Sequence, residues 1–191
     1  SMRLLRHDPP ELEDVAEALG QMSAQALRAG EIIRRLRSLV RHQETQREPA
    51  DINDLITELA GLVGADARLN AVRLRFELAE GLPRLSVDRI QIQQVLANLV
   101  RNAIEALEGI PASLREVVIR STPVAESEVE VSVSDSGPGV SAELLQRMFD
   151  PFCTTKATGT GLGLSISRSI IHAHRGQLSY RAAPGGGACF Y

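Results

Sequence analysis

The sequence predicts an α+β fold, a sheet with helices on one face, preceded by a long helix. Residues 11–45 place apolar or small side chains from Leu12 to Val40 in alternating steps of three and four, the spacing of a heptad seam. After the polar segment Gln46–Asp51 the pattern changes to short alternating strands mixed with helices. Several of these strands are consecutive, which favours α+β. We therefore expect two parts, residues 1–46 and residues 47–191.

The long helix has a marked start and a seam without a partner. Asp8-Pro9-Pro10 suits a helix start, since a capping residue is followed by two residues that lack N–H groups. The seam needs a second helix, from this chain or a partner, and Leu4-Leu5 resembles the end of one. The alternative is that the seam packs on the domain that follows. Because Ser1-Met2 resembles the remnant of a cleaved tag, we expect the chain to be a piece of a longer protein.

The second part is predicted to alternate between helices and strands. Its longest helix follows directly on the capping residue Asp88. The predicted elements are a helix capped by Asp51 and ending at Leu62, the strands "VRLRFEL" and "RLSV", a helix from Asp88 to Leu107, the hairpin "EVVIRSTPV" and "EVEVSVSDS", a short helix from its cap Ser141 through Arg147, a helix from Ser165 to His174, and the final strands "GQLSYRA" and "GGACFY".

Composition excludes several classes of function. The net charge of −3 argues against nucleic-acid binding, which usually needs a basic surface. No apolar run approaches the roughly 20 residues of a membrane span, and no secretory signal is present. The two cysteines, Cys153 and Cys189, lack metal-type spacing and fit a reducing compartment. We therefore expect a cytoplasmic fragment without a membrane segment, whether the full-length protein is soluble or membrane-anchored.

Two asparagines stand out on the helix from Asp88. Asn98 and Asn102 are four residues apart and so share one face of a helix that is otherwise apolar. A buried amide without a partner costs about 1–3 kcal/mol, so each needs one. An amide oxygen is a suitable ligand for Mg²⁺. The alternative is that each amide bonds a neighbouring backbone group.

A carboxylate follows one of the strands. Asp135 opens "DSGPGV" and leaves the strand into Gly137 and Gly139, which allow a ligand to approach closely. A carboxylate fixed there can accept a hydrogen bond from an exocyclic amine such as that of adenine. The alternative is an ordinary turn, because Asp, Ser, Gly and Pro commonly end strands.

The stretch "TTKATGTGLGLS" combines alternate glycines with the only lysine of the chain, Lys156. Gly159, Gly161 and Gly163 lead into the predicted helix at Ser165, so backbone N–H groups can face an anion. The order is not that of a P-loop, since the lysine precedes the glycines, and it is not a convincing dinucleotide fingerprint. Taken alone, the stretch is equally compatible with a flexible turn.

The order of these motifs resembles the ATP-binding domain of sensor histidine kinases. "QQVLANLVRNAIEAL" is similar to the family's N box, "DSGPGV" to its first glycine box, "MFDPF" to its F box and "GTGLGLSI" to its second glycine box. The resemblance covers roughly residues 50–191 and extends to the gyrase, heat-shock-90 and mismatch-repair ATPases. Within the family, the sequence of these motifs is most similar to that of the nitrogen-regulation and oxygen-sensing (FixL-type) kinases.

The resemblance implies a two-layer α/β sandwich, the GHKL-type ATPase fold, that binds ATP or ADP with Mg²⁺. It assigns Asn102 to the metal and Asp135 to the adenine amine, and it implies catalytic roles for Asn98, Asn102 and Lys156. Phe149 and Phe152 are expected to pack at the base of a lid from Cys153 to Thr160. The implied cofactor-binding residues are Asn98, Asn102, Ala103, Asp135, Gly137, Gly139, Val140, Phe152, Lys156, Gly159, Thr160, Gly161, Leu162, Gly163 and Leu164.

The resemblance also implies phosphoryl transfer to a histidine, for relay to the aspartate of a response-regulator receiver domain. Hydrolytic relatives have a glutamate where this chain has Asn98, and an amide cannot take a proton from water. Glu105 is expected to face solvent or to form a salt bridge. The full-length protein is expected to be a homodimer through a helical hairpin, of which residues 1–46 supply mainly the second helix.

The sequence departs from the family at the phosphate acceptor. The family's acceptor histidine lies in a box on the first hairpin helix, and none of His7, His42, His172 and His174 fits that box. We therefore expect the acceptor to be absent from this chain. Two other functions stay open: an ATPase switch of the gyrase or heat-shock-90 type, and a non-catalytic binding module that regulates a partner through its helix.

Overall fold

The computed structural model describes residues 46–156 and 159–191, together with residues 15, 17, 19, 20 and 22. The chain divides into two compact units, Ser1–Gln43 and Glu44–Tyr191. The five described residues of the first unit are helical. Three of them, Val15, Leu19 and Met22, belong to the predicted seam, and Leu19 and Met22 are each 57% exposed. The rest of the predicted long helix and seam, and His7 and His42, lie outside the described residues, and the division at residue 46 stays a prediction. No helix in the described part of the chain is long and apolar enough to cross a membrane.

The second unit alternates strands and helices much as the sequence predicts. Its elements, in chain order, are β1 (Glu48–Ala50), α1 (Ile52–Leu69), β2 (Arg73–Leu78), β3 (Leu85–Val87), α2 (Arg89–Ala106), a 3₁₀ turn (Ala112–Leu114), β4 (Glu116–Ala125), β5 (Glu128–Asp135), α3 (Ala142–Leu145), α4 (Gly163–Ala173), β6 (Tyr180–Ala182) and β7 (Ala188–Phe190).

A five-stranded mixed sheet forms one layer, in the order β2-β4-β5-β7-β6. β2 and β4 are parallel, from Arg73 opposite Glu116 to Leu78 opposite Ser121. The remaining pairs are antiparallel, so the predicted hairpin β4–β5 and the predicted final pair β6–β7 are confirmed. The two faces differ in chemistry. Buried Val117, Ile119 and Val133 belong to the core, whereas charged residues of β2 and β4 form ion pairs such as that of Arg75 with Glu77.

Helices α1, α2 and α4 form the second layer, which confirms the predicted two-layer sandwich. Asp51 and Asp88 cap α1 and α2 as predicted, each by accepting a backbone N–H of the first turn. The prediction that α1 ends at Leu62 is wrong. The helix continues to Leu69, and Val63 and Ala67 extend its buried stripe. Their burial outweighs the low helix propensity of Gly61 and Gly64.

Two shorter predictions also need correction. Helix α3 ends at Leu145 rather than at Arg147, because a turn follows it. Helix α4 begins at Gly163, two residues before the predicted Ser165. The earlier start matters because it makes the third glycine of "GTGLG" the first residue of the helix.

The incoming segment of the second unit is tied to both β3 and α4. β1 pairs antiparallel with β3, from Glu48 opposite Val87 to Ala50 opposite Leu85. Arg47 donates to the carbonyl oxygen of Ala173 at 2.5 Å, at the C-terminal end of α4. His174 follows at the same end, where its Nε2 accepts from the backbone N–H of Asp88 at 3.0 Å. The start of the unit is thus bonded to the last turn of α4.

Candidate functional site

Helix α2 carries the polar residues of the candidate site in one stripe. Asn98, Asn102 and Glu105 are four and three residues apart and therefore lie on one face. Neighbouring segments meet the helix along its length. α4 contacts Asn98, Lys156 contacts Glu105, and the turn after β5 lies against the carbonyl oxygen of Ala106. The motifs that are separate in sequence thus converge on α2.

Asn98 joins α2 to α4. Its side chain is buried, and its Nδ2 donates to the hydroxyl oxygen of Ser167 at 3.0 Å. Its Oδ1 lies so close to Gly163 that a Cβ added there would be 2.4 Å away, which is sterically excluded. Only glycine therefore fits at residue 163 in this arrangement. The sequence left open a purely structural partner for Asn98, and the structure provides one, from a side chain rather than the backbone.

Asn102 differs from Asn98 although it is one turn away. It is half-buried, and its carboxamide has no hydrogen-bonding partner among the residues that the structure describes. An amide in this state keeps its full donor and acceptor capacity. Of the two asparagines, Asn102 is the one whose side chain is available to a ligand.

Asp135, at the end of β5, is held from two sides. The side chain is 5% exposed, and its Oδ1 accepts N–H groups from Gly137 at 2.8 Å and from Ala188 at 3.2 Å. Its Oδ2 receives no hydrogen bond from any described residue. Burial raises the pKa of Asp135 above its ordinary value, against the opposing effects of the two N–H groups and of the Lys156 charge. The result is a fixed carboxyl group with one free oxygen.

The glycine stretch makes a tight turn into α4. Gly161 has a φ of +66°, and a Cβ there would lie 2.3 Å from the carbonyl carbon of Phe152, so any side chain would be both strained and blocked. Helix α4 follows at once, and its N-cap residue, Leu162, makes no side-chain capping bond. The N–H groups of the first turn of a helix have no acceptor within that helix. They form a positive end suited to an anion.

Lys156 precedes this turn in the chain, and its side chain contacts the polar stripe of α2 at Glu105. Its Nζ is 2.5 Å from Oε2 of Glu105, and both side chains are 38% exposed. The salt bridge expected for Glu105 is therefore confirmed. The charge of Lys156 also lowers the pKa of Asp135, against the larger opposing effect of burial.

The other implied residues fall into three groups. Ala103 and Leu162 are both buried, Ala103 as part of the core, and Leu164 packs against the core. Gly137 and Gly139 form the turn after Asp135 with Val140 beside them, and Gly159 donates its N–H to the carbonyl of Lys156. Thr160 is half-buried.

The expectation that Phe149 and Phe152 both pack is right for only one of them. Phe149 packs against the core, with the Arg168 guanidinium 5.3 Å from its ring centroid. Phe152 is 66% exposed, and its φ is positive at 65°. The packing predicted for Phe152 is therefore wrong.

Sequence reasoning missed two residues that hold the site. Ser167 is the partner of Asn98, and the backbone N–H of Ala188 is a partner of Asp135. The run Gly185-Gly186-Gly187 before Ala188 was the available signal. Gly187 lies so close to Asp135 that a Cβ would be 1.9 Å from its carbonyl oxygen. This run lets the last strand approach the end of β5.

Comparisons with known proteins agree with this geometry. The family described as "Histidine kinase-, DNA gyrase B-, and HSP90-like ATPase" matches residues 87–191, more than half of the chain. The sensor protein FixL of Bradyrhizobium diazoefficiens is 46% identical over 191 residues, which is 100% of this chain and 37% of that protein. The chain thus spans little more than a third of this curated relative.

Solved structures give the same fold. The nucleotide-free catalytic domain of the histidine kinase ThkA is 38% identical, with a TM-score of 0.67 over 76% of this chain and 92% of that one. ThkA in complex with the response regulator protein TrrA is 30% identical, with a TM-score of 0.72 over 99% of this chain and 53% of that one. The chain therefore belongs to the histidine kinase-, DNA gyrase B- and HSP90-like ATPase family, and within it to the ATPase domains of sensor histidine kinases.

Proposed function

We propose that this site binds ATP or ADP with Mg²⁺ and that, in the full-length protein, it transfers the γ-phosphate to a histidine on the dimerisation hairpin. A response-regulator aspartate then receives the phosphate. The observation that carries the proposal is the convergence on α2 of a free amide, a buried carboxyl with one free oxygen, and an uncapped helix N-terminus.

Asp135 is suited to read the base. Its Oδ1 is saturated by the N–H groups of Gly137 and Ala188, which fixes the direction of Oδ2. A carboxylate oxygen accepts from an exocyclic amine, whereas a carbonyl in the same position of a base would be repelled. The site should therefore prefer adenine over guanine nucleotides.

The N-terminus of α4 is suited to hold the phosphates. Its first-turn N–H groups have no side-chain cap, and the turn at Gly161 brings the backbone close without a side chain in the way. Lys156, which pairs with Glu105 on α2, adds a cation. Positioning and charge neutralisation of this kind are the main requirements of phosphoryl transfer.

Asn102 fits a magnesium ion that is shared with phosphates. No three His, Cys, Asp or Glu side chains cluster for a metal in the described ranges 46–156 and 159–191. Mg²⁺ often binds through one or two protein oxygens together with substrate phosphates, and the free Asn102 carboxamide supplies one such oxygen. When bound, the ion would neutralise charge on the phosphates.

Asn98 favours transfer over hydrolysis. Its amide is already engaged with Ser167 and packed on Gly163, and an amide cannot accept a proton from water at neutral pH. The chain therefore offers no general base at this position. A receiver-domain partner is supported by the complex of ThkA with a response regulator, and a homodimer through the hairpin is part of the same proposal.

The test has two stages. Mg²⁺-ATP at 100 times its dissociation constant should stabilise the chain by about 2.7 kcal/mol, measured as a rise in melting temperature. The chain mixed with a hairpin fragment that carries an acceptor histidine should then transfer label from γ-labelled ATP to that fragment, as an acid-labile and base-stable phosphate. Asn102→Ala serves as the inactive control.

Three results would contradict the proposal. Absence of any thermal shift with millimolar Mg²⁺-ATP would remove nucleotide binding altogether. Steady hydrolysis without transfer would favour the ATPase switch of the gyrase or heat-shock-90 type. Labelling of His7, His42, His172 or His174 in the chain alone would contradict the expected position of the acceptor.

A further inference from the structure

We propose that Glu105 is a positioning residue that competes with nucleotide phosphates for Lys156 and so weakens the binding of polyphosphates. The inference rests on the proposed function, because it needs a nucleotide in the site. Glu105 lies one turn beyond Asn102 on α2, and its role was not foreseen beyond a generic salt bridge. The geometry gives it a specific partner from the segment that precedes the glycine stretch.

The contact brings the ammonium group to the site before any ligand binds. Lys156 and Glu105 are 51 residues apart in sequence, and their Nζ and Oε2 atoms are 2.5 Å apart. The chain between Lys156 and α4 is fixed at Gly161, which packs on the backbone of Phe152 and Cys153. Residues before and after Lys156 thus contact each other, and the ion pair with Glu105 orients the Lys156 side chain.

Lys156 is the ion-pair partner of Glu105 among the described residues. It is the only lysine in the sequence, and the arginine ion pairs of the described residues are with glutamates or aspartates other than Glu105. A phosphate group that pairs with Lys156 must therefore compete with Glu105 for it. Binding and the ion pair are coupled through one cation.

The half-exposed pair is weak enough to be exchanged. Ion pairs at this degree of exposure change an equilibrium by about two- to fivefold. Phosphates carry more charge than one carboxylate, so the exchange favours the nucleotide once it is bound. Glu105 therefore holds Lys156 in place at a modest cost in affinity, and this cost falls on nucleotides that reach Lys156.

The experiment compares nucleotide affinities by calorimetry in Glu105→Gln, Lys156→Gln and the double variant. Glu105→Gln should bind Mg²⁺-ATP about two- to fivefold more tightly than the wild type. AMP, which lacks the β- and γ-phosphates, should bind with unchanged affinity. In the Lys156→Gln background the gain from Glu105→Gln should vanish, because no cation remains to be released.

Glu108→Gln is the matched control. Glu108 is exposed just beyond the end of α2, and its substitution removes the same charge three residues further on. An equal gain in Glu108→Gln, or a gain that persists without Lys156, would reduce the effect to general repulsion and overturn the inference. Unchanged or weaker ATP binding in Glu105→Gln would overturn it as well. Failure of the wild type to bind ATP at all would instead contradict the proposed function.

Discussion

The proposed base side and the proposed phosphate side of the candidate site are built differently. On the base side, Asp135 is 5% exposed and is held by N–H groups from two segments, Gly137 and Ala188. On the phosphate side, Lys156 and Glu105 are each 38% exposed and are joined by one ion pair. Asp135 is therefore held by two hydrogen bonds without a ligand, whereas in our proposal Lys156 exchanges Glu105 for a phosphate.

This difference indicates which part of the site discriminates between ligands and which part exchanges its partner easily. A buried, fully directed acceptor discriminates strongly, because a wrong partner leaves a polar group unpaired. A half-exposed ion pair discriminates weakly but exchanges easily. Substitutions on the base side should therefore change affinity much more than those on the phosphate side.

The largest effect is expected for Asp135→Asn. The amide can satisfy the two N–H groups with its oxygen, but it then presents an N–H₂ donor to the adenine amine. Loss of a charge-assisted hydrogen bond of about 1.5–3 kcal/mol should weaken ATP about ten- to hundredfold. Calorimetry with ATP and with inorganic triphosphate checks the assignment. Equal losses for both ligands would show that Asp135 does not read the base.

A second prediction concerns the contact between α2 and α4. Gly163→Ala places a Cβ 2.4 Å from Oδ1 of Asn98, so the Asn98 side chain or the two helices must shift, at a cost of about 1–3 kcal/mol in the free energy of unfolding. Gly61→Ala is the matched control. No atom lies within 4 Å of its added Cβ, so the same change should stabilise the exposed helix by about 0.5–1 kcal/mol. Urea unfolding of both variants tests the opposite signs.

The two asparagines should separate stability from binding. Asn98→Ala leaves the buried Ser167 hydroxyl without its partner and should reduce the free energy of unfolding by about 1 kcal/mol. Asn102→Ala removes no hydrogen bond to the protein and should change it by less than about 0.5 kcal/mol. Only Asn102→Ala should abolish the additional thermal shift that Mg²⁺ confers on ATP. A large stability loss in Asn102→Ala would mean that its amide has a structural role.

The smallest effect is a dependence on pH. Burial raises the pKa of Asp135 in the folded state, so the fold disfavours the charged form. Stability linked to this carboxyl is therefore full in acid and is lost as pH rises through the raised pKa. Without ligand, Asp135→Asn should melt above the wild type at pH 7, and the margin should shrink as pH falls toward the ordinary value of 3.8. A margin that widens in acid would contradict the direction of the shift.

The strongly periodic elements were predictable from sequence, and the elements fixed by burial were not. α2 and the β4–β5 hairpin have capping residues or clear alternation, so local pattern was sufficient. The last turns of α1 depend on the burial of Val63 and Ala67, which outweighs two glycines. For Phe152, the resemblance to the family implied packing, but the side chain is 66% exposed on a backbone with a φ of 65°.

The site was predictable as a set of motifs and not as a set of contacts. The order of Asn102, Asp135 and the glycine stretch indicated nucleotide binding because it resembles the order of motifs in the ATP-binding domain of sensor histidine kinases. The pairs Lys156–Glu105 and Ala188–Asp135 join residues that are far apart in sequence. Such pairs depend on how the layers pack, and no local pattern records that.

The C-terminal end of helix α4 is hydrogen-bonded to Arg47, near the start of the second unit, and to Asp88. Arg47 donates to the carbonyl oxygen of Ala173, and His174 accepts from the backbone N–H of Asp88. An 11-residue helix is a stiff rod about 16 Å long. One end of this rod is the uncapped turn proposed to bind the phosphates, and the other is hydrogen-bonded to Arg47. In the proposed function, a force applied at residue 47 would therefore act on the helix whose N-terminus holds the phosphates.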